Sequence, residues 1–376
     1  MDSFNVLDNQ WQFLLKMLPP TVDLDSSARE HGAILRKRVV SSGELLLRLA
    51  LVYSLTGFSL RQTAAWACEK GLANLSDVAL LNRLRGASDW LGWLLAQILA
   101  QRTQQRGLSG LSARLRLVDA TTVSRPGSKG TDWRVHLGLN LTEFRIDSIE
   151  LTGPKGGETL TRFSISPGDL VVGDRGYAHR RGVHSVRQAQ GHFLVRFHVQ
   201  NLPVQDREGT RFDVLAALRQ DPSGELWEFA VQVDPEDDTP ALPARLIVVR
   251  KSPQAAEHQR AKIRQEAARK GRQPSVQSLE AAGYFMVLTS MPEEELTAQQ
   301  ALEIYRFRWQ IEMKFKRLKG VLALDELAAK DPRLAQTFLL AKLVAALLLE
   351  DLSERFLDFS PWGYPLGGAF CESLAD

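Results

Sequence analysis

The sequence predicts an α/β protein, a mixed sheet with flanking helices, opened and closed by helical segments. Three features carry that reading. RLRLVD and DWRVHLGLNL alternate apolar with polar residues at the period of two that a half-buried strand requires. DLVVGD is a short apolar run ending in an acid, the composition of a central strand covered on both faces. The region from about Ala28 to Gln101 instead repeats leucines at helical spacing and shows no alternation.

Within that helical region, SLRQTAAWACEKGLANLSDVALLNRLR has the punctuation of a helical hairpin. Ser59 caps a first helix, Gly71 ends it, and Ser76 caps a second that presents Asn82, Arg83 and Arg85. Such a pair either reads DNA through its second helix or simply packs. RLRLVD then sets Leu115 and Leu117 against Arg114 and Arg116, and DWRVHLGLNL sets Trp133, Val135, Leu137, Leu139 and Leu141 against polar partners. The turn-rich SRPGSKGT joins the two strands, and FRIDSIELT reads as a third. After DLVVGD come a helix over about His179–Gln190 and the strand HFLVRFH, which complete an α/β unit. The stretch from about Val199 to Pro292 is an excursion from that unit. It holds the strands ELWEFAVQV, ARLIVVRK and YFMVLTS and a basic helix, HQRAKIRQEAARKGRQ, which is either a solvated face or a polyanion contact.

Composition narrows the function. At 376 residues the chain can hold more than one domain, and a net charge of +3 permits a nucleic-acid partner without demanding one. The two cysteines, Cys68 and Cys371, form no ligand or disulfide pattern, so structural zinc is not expected and a reducing cytoplasm is the natural setting; Cys68 is expected to be a small buried residue. No signal peptide is read at the N-terminus, and the apolar stretch Phe338–Leu349, interrupted by Lys342, is expected to be a buried helix and not a membrane span.

The segment EIYRFRWQIEMKFKRLKG poses the functional question, because past its first residue it keeps one acid, Glu312, among many cations. On a continuous helix with Tyr305 at zero, Arg308 falls at about 300°, Glu312 at about 340° and Lys319 at about 320°, one narrow arc about 21 Å long. Ile304, Phe307, Ile311, Phe315 and Leu318 form an adjoining core-facing stripe. Glu312 either makes an i,i+4 pair with Lys316 or serves something other than phosphate. Two further acids bear on the choice. Asp119 ends a strand in LRLVDATTV and Asp174 ends another in LVVGDRGY. Singly, each is as readily a cap or turn residue. Together with Glu312 they make an all-oxygen set, which selects Mg²⁺ or Mn²⁺ over zinc, and two such ions suit in-line phosphoryl displacement.

Tyr305, Arg308, Glu312 and Lys319 match Y-x2-R-x3-E-x6-K, and with VDATTV and GDRGY the chain resembles the bacterial insertion-sequence transposases of the DDE class, a cut-and-paste group with hairpin-forming members. The similarity covers roughly Leu115 to Lys319. It implies a ribonuclease H-like core interrupted by a β-rich insertion. The divisions would be an N-terminal helical DNA-binding region, 1–105; a catalytic core in two parts, 110–198 and 293–330; the insertion, 199–292; and a C-terminal helical segment and tail, 331–376. It further implies that Asp119, Asp174 and Glu312 are catalytic and hold two Mg²⁺ or Mn²⁺ ions, and that Tyr305, Arg308 and Lys319 hold phosphates. The implied partners are double-stranded DNA, as transposon ends and target, and a second copy of the chain in the synaptic complex.

Other positions admit two readings. Arg175 and Tyr177 either contact DNA or shape the turn after Asp174, and Arg83 and Arg85 follow the fate of their hairpin. Trp227 is a stacking surface for a flipped base or, more simply, a core tryptophan. His179 and His184 are commonly solvated helix residues. The tail SPWGYPLGGAFCESLAD gives no clear helix where several family members carry a longer helical assembly domain. Two rival functions stand beside this one: a DNA-binding protein descended from a transposase and no longer catalytic, and an unrelated carboxylate hydrolase such as a glycosidase.

Overall fold

The computed structural model describes residues 11–36, 39–104, 114–199, 202–237 and 239–356. The tail from Ser360, with Cys371, lies outside the described residues. Among the described residues, nine strands follow the hydrogen-bonded order β3-β2-β1-β4-β5-β9-β8-β7-β6. The backbone divides into two compact units. The first comprises the described residues within Met1–Gly110, Ala120–Gly156 and Glu312–Asp376; the second comprises those within Leu111–Asp119 and Gly157–Ile311.

The first unit is largely helical. It contains α1 (Trp11–Leu15), α2 (Leu24–Glu30), α3 (Gly43–Leu55), α4 (Leu60–Glu69), α5 (Asp77–Arg85) and α6 (Ser88–Gln104). Ser59 caps α4 in a capping box with Gln62, Gly71 takes a left-handed φ of 65° beyond its end, and Ser76 caps α5. The strands β2 (Trp133–Asn140) and β3 (Arg145–Thr152) form an antiparallel hairpin in this unit. Its last helices are α12 (Trp309–Leu322, from Glu312 onward) and α13 (Pro332–Phe356).

By length and composition α13 could cross a membrane, yet 78% of its apolar window is buried in the protein. It packs on α3 and α6, with Leu343, Val344, Leu347 and Leu348 fully enclosed. Arg102 of α6 fastens this layer. It donates to Ile146 O at 3.0 Å, Leu347 O at 2.7 Å, Glu350 at 2.8 Å and Asp351 at 2.7 Å. Glu350 also pairs with Lys314 of α12, and both side chains are 2% exposed.

The second unit holds the first five residues of β1 (Leu115–Val123), then β4 (Leu170–Gly173), α7 (Arg180–Gln188), β5 (His192–Arg196), β6 (Val204–Gln205), α8 (Val214–Gln220), β7 (Leu226–Val233), β8 (Leu242–Arg250), α9 (Pro253–Arg269), α10 (Val276–Ala281), β9 (Tyr284–Thr289) and α11 (Ala298–Arg306). β1, β4 and β5 are parallel; β9 joins β5 antiparallel, and β8 and β7 extend the sheet. The strands of the excursion therefore continue the core sheet, with Val118, Val171, Phe193, Leu246 and Leu288 in one core.

Four expectations change. Asp119 does not end its strand: the β-branched run Thr121, Thr122 and Val123 carries β1 on to Val123 and leaves the acid at its middle. β1 and β2 are covered on both faces: Arg116 is 3% exposed, its charge met by Asp169 at 3.6 Å and by Ser164 O at 2.6 Å, while His136 is enclosed with Nε2 2.9 Å from Thr152 Oγ1. Buried partners let polar residues occupy a strand face that alternation assigns to water. Cys68 is exposed on the outer face of α4 and not buried. The segment from Tyr305 to Lys319 is two helices. At Phe307–Arg308 the backbone makes i→i+3 bonds, Phe307 N to Ile304 O at 3.0 Å and Arg308 N to Tyr305 O at 3.1 Å, so the single 21 Å arc does not hold.

Candidate active site

The register of β1 and β4 positions the first two acids. Leu115, Arg116 and Leu117 face Leu170, Val171 and Val172 in parallel. The same register carried two residues further sets Asp119 opposite Asp174, whose backbone is still extended (φ −78°, ψ −170°). Neighbouring strands lie about 4.8 Å apart and paired residues share a face, so Asp119, midway along β1, and Asp174, just past the end of β4, fall on one side of the sheet. Asp169 fixes this register from the other end of β4. Its carboxylate is 2% exposed, takes Arg114 Nε at 2.7 Å and Ser166 N at 2.9 Å, and faces Arg116.

Asp174 also caps the following turn, accepting from Gly176 N at 2.7 Å. Gly176 has a steric reason to be glycine, since a Cβ there would sit 1.9 Å from Glu158 Oε2 and 3.0 Å from Asp174 Oδ1. Arg308, at the break after α11, brings its guanidinium 3.7 Å from Asp119 Oδ2. The helix break thus gives Arg308 a role that a continuous helix did not suggest.

Tyr305 is 8% exposed at the end of α11, and its ring meets Phe285 of β9 edge-on at 5.4 Å. Burial raises its phenol pKa; Arg308 and Arg196 oppose the rise and Asp174 adds to it. Arg196 lies over the other partner of that stack, 3.8 Å from the Phe285 centroid. Burial lowers the Arg196 guanidinium to about 10, with Arg175 and Arg308 pushing the same way. Asp119, Asp174, Tyr305, Arg308 and Arg196 thus form one cluster in the second unit. Sequence reading missed Arg196, although a lone cation ending the apolar strand HFLVR was the available signal.

Glu312 is exposed on α12, and Lys319 is half-buried on the same helix; both belong to the first unit. Among the described residues no group of three or more His, Cys, Asp or Glu side chains stands within range of a common metal ion. Asp119 and Asp174 are both hard oxygen donors, and Arg308 already places positive charge beside one of them. Their chemistry fits a divalent cation of the magnesium type.

The remaining positions have structural partners. Trp227 is 8% exposed, donates to Asp221 Oδ2 at 3.0 Å and lies under Arg250, a core tryptophan. Tyr177 is fully buried beside Phe163, while Arg175 is exposed. Arg83 donates to Arg36 O at 2.7 Å, and Arg85 pairs with Asp331 at 2.8 Å. His184 is buried between Asp234 O and Thr239, each at 3.0 Å; His179 is exposed. On α9, Glu257 pairs with Arg260 and Arg264, and Glu266 with Lys270, so part of that basic helix is neutralised in place.

The mixed sheet with flanking helices is the α/β architecture the sequence predicts. The family model described as Transposase DDE domain matches residues 110–348. The transposase for insertion sequence element IS421 of Escherichia coli is 40% identical over 95% of this chain and 97% of its own length. The transposase for insertion sequence element IS231F of Bacillus thuringiensis subsp. israelensis is 26% identical over 62% and 55%. A cryo-EM structure of a piggyBac transposase synaptic complex with hairpin DNA aligns over 92% of this chain and 76% of its own at a TM-score of 0.47 and 9% identity, too distant to carry an inference. The chain belongs to the DDE transposase family.

Proposed function

We propose that this transposase cuts phosphodiesters at the ends of its own insertion sequence and joins the freed 3′-OH to target DNA, with Asp119, Asp174 and Glu312 as metal ligands. The observation that supports the reading is the β1–β4 register, which, carried two residues further, sets Asp119 opposite Asp174, with Arg308 beside Asp119. Bound to these carboxylates, a pair of Mg²⁺ or Mn²⁺ ions would supply activation of the attacking oxygen and stabilisation of the leaving one. The chain's own residues orient the DNA. Arg308 offers a guanidinium to a phosphate next to Asp119, the buried Tyr305 keeps its phenol protonated as a donor, and Lys319 and Arg175 add further phosphate contacts.

The wider reading assigns 1–105 to DNA binding, 110–198 and 293–330 to the core, 199–292 to the insertion and 331–376 to the C-terminal segment. It places the protein in the cytoplasm without a membrane, acting on double-stranded DNA as a homodimer in the synaptic complex. Asp119→Asn, Asp174→Asn and Glu312→Gln are each expected to lower Mg²⁺-dependent end cleavage by about 10³-fold or more while retaining DNA binding. Cleavage at wild-type rates in all three variants rejects the assignment.

A further inference from the structure

A cavity of about 420 Å³ opens in the second unit between the ends of β5 and β8 and the helices α9 and α10. Three cations in its lining, Arg175, Arg196 and Lys251, stand close enough to repel one another, with His198 beside them. Lys251 is held down to about 8 by burial and by Arg196, Arg175 and Arg260, and His198 is lowered by burial and by the same two arginines. Among the described residues no acid forms an ion pair with Arg175, Arg196 or Lys251. Lys251 donates instead to Ala282 O at 2.9 Å, and Arg196 rests on Phe285. The acid in the lining, Glu266, is bonded to Lys270 at 2.6 Å. Partly buried cations gathered without a counter-charge cost free energy unless an anion joins them.

We propose that this cavity binds a phosphate monoester, the 5′-terminal phosphate of a nucleic-acid strand. A monoester carries close to two negative charges at neutral pH, matching a cluster of several cations better than a diester with one. The cavity has the size of a small-ligand site and admits a strand end where a duplex does not fit. Ser275, Ser278 and Gln259 add hydroxyl and amide groups to the lining. Its placement suits a product of the reaction, since Arg175 directly follows Asp174. When water attacks the phosphodiester, its oxygen bonds to phosphorus, the P–O3′ bond breaks and the 3′-oxygen takes a proton. A 3′-OH and a 5′-phosphate result. Assignment to a strand end rests on the proposed transposase reaction; the anion site rests on the cavity alone.

The test compares a 3′-labelled oligonucleotide carrying a 5′-phosphate with the same strand carrying a 5′-OH, by fluorescence anisotropy in EDTA. The full chain is expected to prefer the phosphorylated end by about tenfold. Lys251→Met and Arg196→Gln should each bring the ratio of the two affinities to about one, whatever either does to strand binding as a whole; Arg175→Gln, at an exposed side chain, repeats the test of that ratio without burdening the core. Equal affinity for the two strands in the full chain, or a preference that survives all three substitutions, overturns the proposal. If inorganic phosphate displaces the phosphorylated strand at micromolar concentration, the site belongs to free phosphate and the strand-end assignment fails. No metal or cleavage enters the measurement, and Asp119→Asn should keep the preference, so failure here and failure of the catalytic reading are separate results.

Discussion

Glu350→Gln tests how the helix carrying Glu312 is anchored. Glu350 is 3% exposed between the Lys314 ammonium and the Arg102 guanidinium. Burial alone would raise its pKa, but Lys314 and Arg102 overcome this and hold it at about 2, below the ordinary 4.5. A folded-state pKa below the unfolded one means a contribution fully present above pH 4.5 and lost as pH falls through about 2. The gap corresponds to about 3 kcal/mol, similar to the roughly 3–5 kcal/mol seen when one partner of a buried pair is removed. At pH 7, Glu350→Gln should lower the thermal midpoint by about 4 °C. It should also flatten the loss of stability between pH 4.5 and 2, measured by far-UV circular dichroism. Adding Lys314→Met should recover part of the loss, because the stranded ammonium is then gone. A midpoint within about 2 °C of wild type, or an unchanged acid limb, refutes the reasoning.

Two further substitutions probe the site. Gly176→Ala puts a methyl 1.9 Å from Glu158 Oε2 and 3.0 Å from Asp174 Oδ1; displacement of these carboxylates should slow end cleavage by about tenfold with little change in melting, and an unaltered rate removes the steric role. Asp169→Asn weakens a buried carboxylate that meets Arg114 and Arg116 at the start of the β1–β4 pairing. It should destabilise the protein by about 2–4 kcal/mol in urea titration and reduce cleavage more than Lys319→Gln does; a loss under 1 kcal/mol contradicts its anchoring role.

Much of this was legible in the chain, and the failures have physical causes. Local signals worked where local chemistry decides: Ser59 and Ser76 cap their helices, and LVVG is a central strand. Alternation misjudged exposure in β1 and β2 because Arg116 and His136 find partners inside the protein. The break at Phe307–Arg308 was invisible because the apolar period continues across it with no glycine or proline as a warning. Tyr305, Arg308, Glu312 and Lys319 stand out by their spacing in one segment, whereas Arg196 of β5, Phe285 of β9 and Lys251, just past β8, are far apart in the chain and come together only through tertiary folding.

The central claim, that Asp119, Asp174 and Glu312 hold the divalent ions directly, is tested most sharply by exchanging a hard ligand for a soft one. In Asp119→Cys, Asp174→Cys and Glu312→Cys, cleavage of a labelled insertion-sequence end should vanish in Mg²⁺ and return in part in Mn²⁺, which accepts sulfur more readily. Full activity of any of these variants in Mg²⁺, or none regained in Mn²⁺ by all three despite intact folding and DNA binding, would contradict it.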